Sequence, residues 1–177
     1  MDIEEFFLKS VGEWKSMRSS HSLAFQEFEE IRSKIKIVPS KSNDSRVIKF
    51  LKDNLITTTA VNKAFLINWE AKSEWGEKDQ KEKSFGESII VPIEISKTEG
   101  KIIRSVGYTE AIQVVSLYKI LDDGTLIIYS DYTHICTEER IWFVSKNLRS
   151  RSSVTRAIDS SAILQTSYAS EIRSIKK

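Results

Sequence analysis

The sequence predicts a mainly β protein of about ten antiparallel strands, closed as a barrel or stacked as a sandwich. Short segments of alternating side chains follow one another along most of the chain. Turn signals separate many of them, most clearly Thr98-Glu99-Gly100-Lys101 and Asp122-Asp123-Gly124. Strands and helices do not alternate along the sequence, so a parallel sheet is not predicted. No linker or repeat divides the sequence, so residues 1–177 are predicted to form a single domain.

Two short helices accompany the strands. Asp2 can cap the first, with Glu5 three residues later. The apolar stripe of this helix is Ile3, Phe6, Phe7 and Val11. The second helix is predicted to begin at a cap, Asp44, and to end near Asn54. Its predicted inner face is Val47, Ile48 and Leu51.

The remaining segments are read as strands because β-branched and aromatic side chains alternate with polar ones. They are Gly12–Leu23, Glu29–Val38, Lys63–Glu74, Gly86–Ser96, Lys101–Tyr108, Ile112–Leu121, Thr125–His134, Glu139–Ser145, Leu148–Arg156 and Ser161–Ser174. A break is predicted around Cys136 and Thr137, although no glycine or proline marks it. The highly charged stretch Glu74–Lys83 is predicted to be a solvated loop.

Composition excludes several classes of protein. The 177 residues carry a net charge of +2, too balanced by itself to indicate binding to nucleic acid or to a membrane surface, and the apolar runs are too short to span a bilayer. The acidic start Met1–Glu5 resembles neither a signal nor a transit peptide, and the single cysteine, Cys136, fits a reducing compartment. A cytoplasmic location is therefore expected. His21 and His134 are isolated, so no metal site is predicted.

A predicted β-hairpin with its turn at Ser145-Lys146-Asn147 carries the strongest sign of a binding site. Because side chains alternate along a strand, Arg149 and Arg151 share one face. Glu138 and Glu139 take opposite faces of the incoming strand, and the sequence leaves open which of the two points inward. A face with two arginines is either solvated surface or the wall of a cavity that holds an anion.

Other strands carry polar side chains on faces that contain aromatic rings. These faces are Trp14, Ser16, Arg18 and Ser20 on the first strand, Ile67, Trp69, Ala71, Ser73 and Trp75 on the third, Ile112, Val114, Ser116, Tyr118 and Ile120 on the sixth, and Leu126, Ile128, Ser130, Tyr132 and His134 on the seventh. Small hydroxyls between aromatics indicate a roomy interior with hydrogen-bonding points. With Arg18, Arg149 and Arg151 added, it suits a flat, conjugated anion.

Each of these features also has an ordinary explanation. An arginine in a strand is usually solvated, and a buried tryptophan is usually structural. His21 is read as hydrogen-bonded or exposed, and Cys136 as inert, since no basic neighbour in sequence activates it.

Two motifs together carry a resemblance to a known family. They are Gly12-Glu13-Trp14-Lys15-Ser16-Met17-Arg18-Ser19-Ser20-His21, and Glu139-Arg140-Ile141-Trp142-Phe143 followed by Asn147-Leu148-Arg149-Ser150-Arg151. In this order and spacing they resemble the S-type phycobiliprotein lyases, over essentially the whole chain. The resemblance implies a ten-stranded lipocalin-like barrel that binds a linear tetrapyrrole, a bilin, and delivers it to a cysteine of a phycobiliprotein subunit. Met17 and Ser150 depart from the residues expected in many relatives.

The resemblance also implies which residues form the site. Arg18, Glu139 and Arg149 are carried over first, and the same cavity is expected to include Arg151, Trp69 and Trp75. His21, from the first motif, is added as a ligand-binding candidate. The implied enzyme is a chaperone-like lyase that forms a thioether: the arginines hold the two propionates, and Glu139, as the catalytic group, hydrogen-bonds the central pyrrole nitrogens.

The implied partners follow from the same resemblance. The bilin is a substrate, not a permanent cofactor, and phycoerythrobilin is preferred to phycocyanobilin. The client is a phycoerythrin-like apo-subunit, the bilin can be handed over by a bilin reductase, and a homodimer is one oligomeric state to test. Two alternatives remain open: a non-catalytic lipocalin-like carrier of a fatty acid or other apolar carboxylate, and a structural partner of light-harvesting assemblies without a ligand.

Overall fold

The computed structural model describes residues 1–40, 43–56, 63–73, 83–105 and 114–175. In this part of the chain, ten antiparallel strands form a closed barrel, in which strands adjacent in sequence pair and β1 closes the circle on β10. The ten-stranded lipocalin-like barrel is thus confirmed, and the sandwich is excluded. The elements are α1 (Ile3–Ser10), β1 (Gly12–Ser22), β2 (Glu27–Pro39), α2 (Ser45–Asp53), β3 (Phe65–Ser73), β4 (Lys83–Glu94), β5 (Glu99–Arg104), β6 (Val114–Ile120), β7 (Leu126–Asp131), β8 (Ile135–Ser145), β9 (Leu148–Ala157) and β10 (Ile163–Arg173).

Helix α1 closes one end of the barrel. Its start is the predicted capping box, in which the Asp2 side chain accepts from the Glu5 N–H at 2.8 Å and the Glu5 side chain accepts from the Asp2 N–H at 3.0 Å. Ile3, Phe6 and Phe7 are buried, as predicted. They pack into a cluster with the first inward-facing side chains of the barrel: Trp14, Ile37, Phe65, Ile90, Ile102, Tyr118, Ile120, Leu126, Ile128 and Ile141. This apolar plug separates the barrel interior from solvent at the end that α1 covers.

Helix α2 packs on the outside of the barrel. Asp44 caps it, as predicted, by accepting from the Arg46 N–H at 2.9 Å. The buried face is Val47, Phe50 and Leu51, against Leu66 of β3, Ile89 and Val91 of β4, and Ile103 of β5. Ile48, also predicted on this face, is only partly buried and lies outside the cluster, and Phe50, three residues after Val47, completes the buried face.

The predicted break at Cys136 and Thr137 was also wrong. Strand β7 ends at Asp131 and β8 begins at Ile135, so both residues lie within β8. The chain turns instead between Tyr132 and Ile135, where the Tyr132 N–H donates to the Ile135 carbonyl at 2.8 Å. The turn needs neither glycine nor proline, which is why no composition signal marked it. The predicted Glu74–Lys83 loop lies, for residues 74–82, outside the described residues.

The burial of the inward-facing side chains decreases away from α1. Along β2 and β3 these side chains change from fully buried beside the helix, at Ile37 and Phe65, to partly exposed further on, at Ile31 and Ala71. Among the described residues, α1 therefore closes one end of the barrel interior. Neither helix in the described ranges has the length and apolarity needed to cross a bilayer.

Candidate functional site

A cavity of about 330 Å³ occupies the barrel interior above α1. This volume lies in the range typical of small-molecule sites. The floor is formed by Phe6 and Phe7 of α1. Apolar side chains of the strands make most of the wall: Ile31, Ile35, Ile37, Ile67, Trp69, Ala71, Ile90, Ile102, Leu126, Ile128, Ile141 and Ala169.

Trp69 supplies the aromatic wall predicted from the third strand. It lies opposite Gly86 in the register of β3 and β4. A Cβ atom at position 86 would lie 1.9 Å from the indole ring, so only glycine leaves room for the ring there. The ring is partly exposed toward the cavity, where a planar ligand can stack on it.

The charges of the side chains that line the cavity do not sum to zero. Among the described residues, the four arginines Arg18, Arg104, Arg149 and Arg151 and the two glutamates Glu139 and Glu171 line the cavity, so four positive and two negative charges leave a net charge of +2. Because an unbalanced charge is costly away from water, the arrangement favours an anionic ligand.

Arg149 is fixed from two sides. Its Nε donates to Glu171 Oε2 from the neighbouring strand, and both residues are almost completely buried, at 2% and 1% exposure. The guanidinium carbon also lies 4.6 Å from the centroid of the Trp14 ring, whose other cationic neighbour, Arg173, lies at 4.2 Å. The Trp14 Nε1 donates to the Ser10 carbonyl at 2.8 Å, which ties this stack to the end of α1.

The Glu171 carboxylate stays charged in this buried setting. Burial raises the pKa of Glu171, but the charges of Arg151 and Arg149, with hydrogen bonds from Arg149 and Ser16, outweigh burial and bring the pKa below its ordinary value. For Arg149, burial lowers the pKa, and the negative charge of Glu171 opposes this effect. A guanidinium starts from so high a value that it remains protonated. The two groups therefore form a buried ion pair at neutral pH.

Glu139, not Glu138, faces the cavity. Glu139 is 3% exposed and lies between two cations: its Oε2 is 3.4 Å from Arg104 Nη1, and its Oε1 is 3.9 Å from Arg151 Nη1. Glu138 lies on the outer face of β8, where it accepts from Arg140 Nε at 2.7 Å. The question that the sequence left open is answered by the alternation of this strand.

The serines of the sixth and seventh strands do not make the interior roomy. Ser116 and Ser130 lie opposite each other in the register, are fully buried, and have their hydroxyls 2.7 Å apart. Both accept from Arg104 Nη2, at 3.1 and 2.8 Å. A polar network fills the space between these serines and Arg104, and neither serine lines the cavity.

The structure brings together five of the residues predicted to form the site: Arg18, Trp69, Glu139, Arg149 and Arg151 all line the cavity. His21 does not line it. Its exposed ring packs edge-on against Phe28, with centroids 4.9 Å apart, at the far end of the β1–β2 hairpin. Trp75 lies outside the described residues.

Two charged residues of the cavity wall were missed, Arg104 and Glu171. Each is a charged side chain at an inward position of a strand, next to Ile102 and Ala169 on the same face. That alternation was the available signal. In the described ranges, no group of three or more His, Cys, Asp or Glu side chains is arranged to hold a metal ion.

Comparison with known proteins covers nearly the whole chain. The family model described as CpeS-like protein matches residues 2–174. A curated relative named chromophore lyase CpcS/CpeS 3, from Trichodesmium erythraeum, is 39% identical over 176 residues, which cover 98% of this chain and 100% of the relative. A second relative, named putative phycoerythrobilin lyase CpeS, from Microchaete diplosiphon, is 34% identical over 151 residues, 84% of this chain and 66% of the relative.

A solved structure agrees with the fold. The S-type phycobiliprotein lyase CPES from Guillardia theta superposes with a TM-score of 0.86 at 31% identity, covering 100% of this chain and 95% of that one. The similarity therefore extends over the barrel and both helices.

Proposed function

Because the chain belongs to the CpcS/CpeS family of chromophore lyases, we propose that it binds a bilin in the barrel cavity and delivers it to a cysteine of a phycobiliprotein subunit. The bond formed is a thioether. The observation that carries this proposal is the net charge of +2 within a cavity whose other walls are apolar and aromatic.

Charge favours a bilin over the alternative ligand. A bilin carries two propionates on a flat conjugated chain, so it offers two separate carboxylates to the arginines of the wall, Arg18, Arg149 and Arg151. A fatty acid carries one carboxylate and could engage only part of this arginine set. The indole of Trp69 offers a face for a planar ring, which an alkyl chain does not need.

The proposed roles follow from position on the wall. Arg18, Arg149 and Arg151 bind the propionates. Glu139 accepts hydrogen bonds from the central pyrrole nitrogens and favours the protonated chromophore, which makes the conjugated system more electrophilic. The cavity wall keeps the bilin extended and so limits additions at the wrong carbon or face.

The proposed step balances without a further reactant. The acceptor sulfur bonds to the ethylidene carbon of the bilin's terminal ring, the exocyclic double bond is consumed, and the thiol proton ends on the adjacent ring carbon. No oxidant or reductant is required. The protein contributes orientation and electrostatic stabilisation, not a covalent intermediate.

The attacking thiol is proposed to belong to the client. Cys136 lies on the face of β8 opposite to the one that carries the cavity-lining residues Glu139 and Ile141, and its register with Asp131 of β7 continues without a bulge to Glu139. Its sulfur therefore points away from a bilin in the lumen.

Cys136→Ser is expected to bind bilin and to transfer it within about twofold of wild type, because an outward substitution away from the site changes little. Transfer to an apo-subunit, followed by zinc fluorescence of the denatured product, measures this. Mass spectrometry of denatured, bilin-loaded wild type gives the matching control. An increase of one bilin mass on this chain would contradict direct attack by the client.

Phycoerythrobilin is the proposed substrate. The support is the name of the relative from Microchaete diplosiphon, a putative phycoerythrobilin lyase at 34% identity. A phycoerythrin-like subunit is the corresponding client, with a bilin reductase as the proposed donor.

Titration with phycoerythrobilin tests the proposed function. We expect saturable binding that shifts and sharpens the visible spectrum, because the cavity restricts the bilin to one extended, protonated form. Palmitate added in excess should displace little of it. An unchanged bilin spectrum together with saturable palmitate binding would instead identify a fatty acid carrier.

A further inference from the structure

Arg104 is the least explained charged residue of the cavity. It lies at the end of β5, is 7% exposed, and reaches toward three neighbouring strands. Its Nη2 donates to Ser116 of β6 and Ser130 of β7, and its Nη1 lies 3.4 Å from Glu139 of β8. A surface arginine would need none of these contacts, and the family resemblance did not point to it.

The two serines orient the guanidinium of Arg104 and do not face the ligand. Neither lines the cavity, both are buried, and their hydroxyls also hydrogen-bond each other at 2.7 Å. Two acceptors on one nitrogen set the plane of the guanidinium and direct the other terminal nitrogen toward Glu139. Four consecutive strands, β5 to β8, therefore determine the orientation of the Arg104 guanidinium.

The contact with Glu139 is not that of a pair optimised for stability. A stabilising buried pair is typically bidentate and fully hydrogen-bonded. Here one nitrogen meets one oxygen at 3.4 Å, and Arg104 Nε has no hydrogen-bond partner among the described residues. The carboxylate keeps acceptor capacity for a ligand, since an ionised carboxylate offers about four lone-pair sites.

Glu139 is thus placed between cations from opposite sides. Arg104 approaches from β5 at 3.4 Å and Arg151 from β9 at 3.9 Å. The other charged groups of the same wall are Arg18, Arg149 and Glu171. Without Arg104, the nearest cation would draw the carboxylate toward β9 and away from the middle of the wall.

We propose that Arg104 is a positioning residue: held by Ser116 and Ser130, it aims the Glu139 carboxylate at the pyrrole nitrogens of the bound bilin. Arg104 acts through Glu139 and does not bind a propionate. The inference rests on the proposed function, because it names what orients the group assigned to the chromophore.

The absorption maximum of bound phycoerythrobilin tests this role, since it reports on each bound molecule whatever fraction of a variant folds. Arg104→Gln is expected to move the maximum in the same direction as Glu139→Gln, with affinity reduced less than about tenfold. The double variant should move it no further than Glu139→Gln alone, because both changes act on one interaction. Arg104→Lys should recover part of the shift by restoring the charge.

Ser130→Ala is the sharper variant. It touches no cavity surface, so a shift of the bound spectrum in the same direction, smaller than that of Arg104→Gln, would have to pass through the guanidinium. Arg140→Gln, which breaks an ion pair on the outer face of β8, is the matched control and should leave the spectrum unchanged.

Two results would overturn the inference. One is a bound spectrum unmoved in Arg104→Gln and Ser130→Ala while Glu139→Gln shifts it. The other is a loss of affinity of tens-fold in Arg104→Gln that adds to that of Glu139→Gln, which would make Arg104 a propionate ligand. If wild type bound no bilin, the proposed function itself would be rejected. That result is distinct from the two above, which compare variants that do bind bilin.

Discussion

Glu139→Gln is expected to slow transfer of bilin to an apo-subunit by about a hundredfold while weakening bilin binding by less than about tenfold. The amide keeps the shape of the side chain, and its carbonyl can still accept a pyrrole N–H. It carries no charge to balance a protonated chromophore, so the bound spectrum should lie to the blue of wild type. Spectral titration and single-turnover transfer measure the two effects separately.

Glu138→Gln is the matched control. It changes the same residue type one position away, on the outer face, where Glu138 pairs with Arg140 at 2.7 Å. Surface ion pairs contribute little, so this variant should behave as wild type in both assays. If Glu139→Gln transferred bilin at the wild-type rate with an unchanged spectrum, the catalytic role of Glu139 would be lost.

Arg149→Ala is expected to weaken bilin binding on the order of tens- to hundreds-fold, because it removes a buried charged hydrogen-bond donor from the propionates. It also leaves the Glu171 carboxylate buried without its hydrogen-bonded partner. Breaking a buried ion pair typically costs about 3–5 kcal/mol of the free energy of unfolding. A thermal melt is therefore needed beside the titration.

A second variant separates ligand binding from folding. Arg149→Met combined with Glu171→Gln removes one charge of each sign, so the cavity keeps its net charge and no buried carboxylate is left without a partner. If Arg149 binds a propionate, this double variant should still bind bilin far more weakly than Lys146→Ala, a change in the exposed turn between β8 and β9. Equal affinities of the two would make Arg149 a counterion of Glu171 only.

Most of the fold could be predicted because each element depends on local pattern. Each of the ten strands of the described residues overlaps a predicted one, although β8 begins at Ile135, four residues before its predicted start, and both caps are formed by the predicted aspartates. The shared face of Arg149 and Arg151 on β9 was predicted for the same reason, and both residues line the cavity. The turn at Tyr132–Ile135 was missed, since a backbone hydrogen bond and not a turn residue closes it.

The two charged residues that were missed depend on the register of the strands. Glu171 matters because it lies opposite Arg149 across β9 and β10, and Arg104 because β6 and β7 present paired serines beside it. Local periodicity gives the face of a side chain but not its neighbour across the sheet. The serines of β6 and β7 were therefore interpreted as lining an open interior, whereas Ser116 and Ser130 accept hydrogen bonds from the Arg104 guanidinium.

The helix that fills one end of the barrel also constrains the order of events. Among the described residues, α1 blocks the passage past Phe6 and Phe7, so under the proposed function we expect the bilin to enter, and the client to receive it, on the side of the barrel away from α1. Binding of the bilin and its transfer to the client then occur in succession. A client subunit that binds before the bilin would obstruct bilin entry, so an excess of apo-subunit should slow loading of the cavity.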